Sequence, residues 1–162
     1  MLKALQRRLQ GEREEGFTLI ELMVVVLIIA ILIAIAIPTF LGARARAQDR
    51  AAQSSLRNAL AAAKTLYTDT DSYATANTTN MKAAEGALTY STSQANLTAS
   101  PSPNVVSVSG TATVFIAAVM SNSGTCFYIK DTPGSTGTEY HKVVSATACN
   151  ANSAPGSFSI PW

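Results

Sequence analysis

The sequence predicts an α+β protein: a long N-terminal helix, apolar in its first half and amphipathic in its second, packed on a small antiparallel β-sheet. Three observations carry this. Leu22 through Ile37 is an unbroken run of sixteen apolar residues. Apolar side chains then recur at helical spacing between Ala52 and Tyr67. After Asn104, short alternating or apolar runs are separated by Gly- and Pro-containing turns, the pattern of an antiparallel meander.

The first element begins after a short polar stretch, Met1 to Gly16, which sets Lys3, Arg7, Arg8 and Arg13 against Glu12, Glu14 and Glu15. From Phe17 to Ile37 the chain would form about 31 Å of helix, matching a hydrocarbon core of roughly 30 Å. The run is too long for a secretory signal peptide, although Ala45-Arg46-Ala47 offers a small-residue cleavage site ahead of Gln48. A plain anchor explains the length but not Glu21, because an ionisable group in a membrane segment needs a partner or a function. The positive-inside rule orients the segment only weakly, since Arg44, Arg46 and Arg50 follow it.

Pro38 and Gly42 mark a weak point, where a missing N–H and a flexible residue bend the helix or let it melt. Beyond it, Ala52, Leu56, Ala59, Leu60, Ala63 and Tyr67 fall within about 100° of a helical wheel and should cover a sheet. Arg46, Arg50, Arg57 and Lys64 form a separate basic stripe, expected in water or against a neighbour. Asp49 falls on the apolar side, with another subunit's arginine as its one suggested partner. The helix should end near Thr68 to Ser72, where short polar side chains compete for the backbone. Asp69 and Asp71 there lack the glycine and distal glutamate of a calcium loop.

The connector from Tyr73 to Pro103 carries one expected strand, near Leu88 to Tyr90. Further strands are expected over Asn104 to Ser109, Thr113 to Met120, Cys126 to Lys130 and Glu139 to Ser145, with turns at Asn122-Ser123-Gly124 and at Pro133 to Gly137. Asn77-Thr78-Thr79 and Asn96-Leu97-Thr98 match glycan acceptors, a weak signal in a Ser/Thr-rich chain.

Composition narrows the function classes. A net charge of +2 is too small for a nucleic-acid footprint over the whole protein, so DNA is an unsupported partner. His141 is the only histidine and reads as a strand surface residue; no nucleophile–base pair, phosphate loop, metal cluster or cofactor motif is visible, and no enzyme activity is expected. Eleven aromatics, widely spaced after Phe40, do not support an aromatic conduction path. Cys126 and Cys149 lack metal-site spacing. If the apolar segment exports the domain, a disulfide between them is the natural reading, closing a loop of about 24 residues worth roughly 3.5 kcal/mol; two separate buried thiols are the alternative.

Gly16-Phe17-Thr18-Leu19-Ile20-Glu21, directly before an apolar helix, resembles the cleavage and methylation motif of type IV prepilins and pseudopilins. Pro38 matches a proline that members of this family often carry. The leader departs from the family pattern in placing Glu14 and Glu15 before the cleavage glycine. The resemblance spans roughly Gly16 to Tyr67 and implies a pilin-like architecture. It implies cleavage after Gly16 by a prepilin peptidase, methylation of the Phe17 amine, and pairing of Glu21 with the Phe17 amine of a neighbouring subunit. The resulting division is leader 1–16, membrane and filament-core helix 17–41, amphipathic helix 42–72, and β head 73–162 with its C-terminal disulfide region. The expected function is that of the structural, major subunit of a type IV pilus, with a type II secretion pseudopilin or competence pilus subunit as the alternative. Expected partners are the chain itself as a helical homopolymer, the prepilin peptidase, the pilus assembly machinery, and membrane lipid before assembly. The precursor would cross the inner membrane once, and the assembled filament would be extracellular.

Overall fold

Two rows of apolar side chains on opposite faces of one sheet organise the C-terminal part of the chain. The computed structural model describes residues 16–92, 95–99 and 101–159, so the leader expectations for residues 1–15 lie outside the described residues. Its elements are helix α1 (Leu19–Thr70), helix α2 (Thr78–Ala84) and strands β1 (Thr89–Ser91), β2 (Val105–Gly110), β3 (Phe115–Met120), β4 (Cys126–Thr132) and β5 (Gly137–Val143). The chain divides into two compact units between Leu41 and Gly42.

In the C-terminal unit the sheet order is β1-β2-β3-β4-β5. Strands β2 to β5 form the antiparallel meander that the turn spacing predicts. The β3–β4 register sets Ala117 opposite Ile129 and Val119 opposite Phe127, and it sets Ala118 opposite Tyr128 and Met120 opposite Cys126. Since successive side chains alternate faces, the two sets point in opposite directions. The first set joins Val106, Val108 and Phe115 against Ala52, Leu56, Ala59, Leu60 and Ala63 of α1. Five of the six residues assigned to the apolar stripe are thus buried, and Tyr67 packs half-buried at the rim. Leu56 is 0% exposed, and truncating such a side chain to alanine costs about 2–5 kcal/mol.

The second set is covered by chain returning over the other face, where Leu97 and Cys149 pack on Ala118, Met120, Cys126 and Tyr128. Cys126 and Cys149 form a disulfide there. The Leu97 amide donates to the Cys149 carbonyl at 2.9 Å, tying the β1–β2 connection to the C-terminal segment.

The structure departs from the sequence reading in four places. Strand β1 pairs with β2 in parallel, so the sheet is mostly, not wholly, antiparallel. The connector also contains α2, capped by Asn77, whose side chain accepts from the amides of Thr79 at 3.1 Å and Asn80 at 3.0 Å. Strand β5 runs from Gly137 to Val143, two residues earlier than expected, because Gly137 at φ 74° is already in register with Thr132. Finally, α1 runs unbroken through Pro38 and Gly42. The Thr39 hydroxyl donates to the carbonyls of Ile35 at 3.2 Å and Ala36 at 2.9 Å beside the proline.

Gly110 is fixed by a close approach. A β-carbon there would lie 2.0 Å from the carbonyl oxygen of Tyr73, so no other residue fits without moving the backbone.

Candidate processing and assembly site

Polar groups at the start of α1 satisfy each other. Thr18 immediately precedes the helix, and Glu21 lies in its first turn. The Thr18 amide and hydroxyl both donate to Oε2 of Glu21, at 2.9 and 2.6 Å, and the Glu21 amide donates back to the Thr18 hydroxyl at 3.3 Å. This is a reciprocal capping box, which uses amide donors that a helix start otherwise leaves without partners. Its spacing, Thr18-x-x-Glu21 before an apolar run, is itself a sequence signal, and the sequence reading did not use it.

Behind this cap the helix is apolar around its whole circumference. From Leu19 to Leu41 every large apolar side chain is exposed, and even the least exposed (Val24, Val25 and Ile29) retain 48%. The window of highest mean hydropathy, 3.3, lies within α1, the one described helix long and apolar enough to cross a membrane. Such a surface needs lipid or other apolar helices around it. Glu21 is the only charged residue between Phe17 and Arg44. Gly16 lies just ahead, outside any helix, with nothing within 4 Å of where a β-carbon would stand. Phe17 is 83% exposed. The structure thus brings Thr18 and Glu21 together and leaves Gly16 and Phe17 open on the same short segment.

A family model, the prokaryotic N-terminal methylation motif, matches residues 13–37. The chain carries the type IV prepilin signature. With the fold described above, its architecture is pilin-like. The signature marks pilin-like or pseudopilin precursors, which are structural subunits processed by a prepilin peptidase and assembled into pilus-like polymers. No match was found among curated proteins or among solved structures.

Charged groups of the head serve its own packing. Asp131, 3% exposed, accepts from the Tyr73 hydroxyl at 2.6 Å, from the Thr138 hydroxyl and from the Lys64 ammonium at 3.1 Å. Burial alone would raise its carboxyl. The bonds from Thr138, Tyr73 and Lys64 outweigh that and hold it below the usual carboxylate range. Lys64 thus reaches the sheet with its ammonium while its side chain stays exposed with the rest of the basic stripe. Asp49 also has a partner in its own chain, the hydroxyl of Ser123 in the β3–β4 turn. His141 lies half-buried on β5, its ring 6.4 Å from that of Tyr128 and 6.0 Å from that of Phe158. Asp71 ends the helix in a left-handed conformation, φ 52°. Among the described residues no group of three or more His, Cys, Asp or Glu side chains is placed to hold a metal ion.

Proposed function

We propose that this prepilin is the structural, major subunit of a type IV pilus. It is cleaved after Gly16, methylated on the Phe17 amine and polymerised through residues 17–41. The observation that carries this reading is a processing motif set directly on a helix that is apolar all round and holds a single carboxylate. An amine and a carboxylate are each costly in lipid, and pairing them in a low-dielectric filament core offsets both costs. Glu21 is the group that would receive the Phe17 amine of a neighbour, favouring assembly and setting axial register. Pro38 and Gly42 mark where the helix would loosen in the filament. The subunit would work by packing, without catalysis.

A pseudopilin or competence subunit would share the motif and the apolar helix. The Cys126–Cys149 disulfide favours the pilus, because it suits a domain held outside the cell in oxidising surroundings. The test is mass spectrometry and N-terminal sequencing of sheared surface filaments. The reading expects this chain as the main component, beginning at N-methylated Phe17. A mature chain beginning at Gln48 would establish the signal-peptide reading instead.

A further inference from the structure

Arg44, Arg46 and Arg50 lie on exposed positions of α1 and form no ion pair among the described residues. Arg46 and Arg50 are four residues apart, so their charges meet on one helix face, where like charges repel unless an anion lies between them. Of seven acidic residues from Phe17 onward, Glu21 is bonded to Thr18, Asp49 to Ser123, Asp71 to Tyr67, Glu85 to the Ala87 amide, Asp131 to Lys64 and Glu139 to Lys130. Asp131 and Glu139 are thus paired with cations, while the bonds to Glu21, Asp49, Asp71 and Glu85 come from neutral donors and leave those carboxylates charged. None of these carboxylates is paired with Arg44, Arg46 or Arg50 within the described residues, so a counter-charge for the three guanidinium groups has to come from outside the chain.

The position of these arginines in the sequence names a partner. Arg44 and Arg46 follow Leu41, the last large apolar residue of the exposed stretch, by three and five residues. At the 1.5 Å rise of a helix these two lie about 4.5 and 7.5 Å beyond Leu41 and Arg50 about 13.5 Å beyond it, and helical side chains lean back toward the N-terminus, here toward the apolar stretch. The headgroup zone outside the hydrocarbon is about 5–7 Å deep, and arginine side chains direct their heads toward such a zone. We infer that Arg44, Arg46 and Arg50 form a collar that binds the phosphates of anionic lipid headgroups while the subunit waits in the membrane. The collar would fix the depth of the helix and favour residence in anionic membrane before assembly. This rests on residues 17–41 entering a membrane, and it is independent of whether a filament forms.

The test uses the full chain in neutral detergent micelles, titrated with phosphatidylglycerol or phosphatidylcholine and read by native mass spectrometry. A charge near an anionic surface is worth about fivefold in binding per arginine. The wild type should prefer phosphatidylglycerol strongly, and that preference should shrink as salt rises. The R44Q/R46Q/R50Q variant should lose most of it, while R44K/R46K/R50K should keep it, with disulfide and circular dichroism unchanged in both. Equal retention of the two lipids by the wild type would overturn the collar, as would a salt-insensitive preference or one that survives the glutamine variant. If the glutamine variant lost binding to a DNA duplex while its lipid preference stayed intact, the stripe would be a nucleic-acid surface instead. A chain that did not enter micelles at all would remove the membrane reading and the collar with it, an outcome distinct from entry without lipid preference.

Discussion

Tyr73 donates its phenolic hydrogen to Oδ2 of Asp131 at 2.6 Å, joining the segment that leaves α1 to the end of β4. Burial first, and then the neighbouring Asp131 carboxylate, push the Tyr73 hydroxyl well above the ordinary tyrosine range, so it stays a donor at any physiological pH. Tyr73 is 0% exposed and Asp131 3%. Neither group has water to fall back on if the other is removed.

The first prediction follows from that pair. Asp131→Ala strands a buried hydroxyl and should cost about 1–3 kcal/mol in denaturant unfolding. Lys64→Ala should cost less than Asp131→Ala, because the Lys64 side chain is 51% exposed and the Tyr73 and Thr138 hydroxyls still hold the Asp131 carboxylate. A loss on Lys64→Ala as large as that on Asp131→Ala would contradict this ranking.

The second concerns acid. The carboxyl of Asp131 is lowered in the folded state relative to about 3.9 in the unfolded chain. Its contribution is therefore fully present above about pH 4 and is lost as pH falls through the lower folded value. Asp131→Asn should flatten that part of the stability–pH curve below about pH 4 and leave its shape near neutrality unchanged.

The sequence shows the fold wherever one face of an element is buried, because burial there imposes a period. Ala52 to Ala63 and the runs around Val106, Ala117 and Phe127 carry that imprint. Helix α2 carries little of it: seven residues with Met81 alone buried make no stripe, and its start is announced only by the Asn77 cap. The parallel β1 pairing is decided by the path of the crossover, which three residues of strand cannot encode. At the candidate site, Gly16, Phe17 and Glu21 stand out by motif. The Thr18–Glu21 cap is hidden because both residues already belong to that motif. Asp131 is hidden because a polar residue near a strand end looks solvated until Tyr73 is brought across from the helix side.

A third prediction tests the close approach at Gly110. Gly110→Ala should destabilise the head even though alanine is ordinarily tolerated in strands, because its β-carbon would meet the Tyr73 carbonyl at 2.0 Å. Gly156→Ala meets nothing within 4 Å and is the control. Equal melting temperatures for the two variants would show that the backbone yields there at no cost.

The fourth concerns the disulfide. Replacing both Cys126 and Cys149 with serine should lower stability by about 3.5 kcal/mol in the chain-entropy model. The effect should be greatest for protection of the Leu97 and Cys149 amides, which tie the β1–β2 connection and the C-terminal segment to each other over the sheet. Hydrogen exchange measures this directly: uniform loss of protection across β3 and β4 would show that the bond stabilises the sheet as a whole.

The last prediction separates two roles for Glu21 that the capping box makes distinct. As a cap, Glu21 needs an acceptor oxygen for the Thr18 amide and hydroxyl, and a glutamine side chain supplies one. As the counter-charge of a neighbour's Phe17 amine, it needs a negative charge, which glutamine lacks. Glu21→Leu removes both functions and cannot tell them apart. Glu21→Gln can. If capping is the whole role, Glu21→Gln should insert, be cleaved and form filaments in the native host much as the wild type does, whereas Thr18→Ala should impair the same steps. If charge pairing is required, Glu21→Gln should accumulate as cleaved subunit in the membrane with few sheared surface filaments. Thr18→Ala would then lose only the cap, and filaments should persist. The pairing role predicts the second pattern, because an amine buried without its counter-charge is disfavoured at every subunit along the polymer. Abundant filaments from cleaved Glu21→Gln subunits would leave Glu21 as a helix cap whose charge assembly does not need.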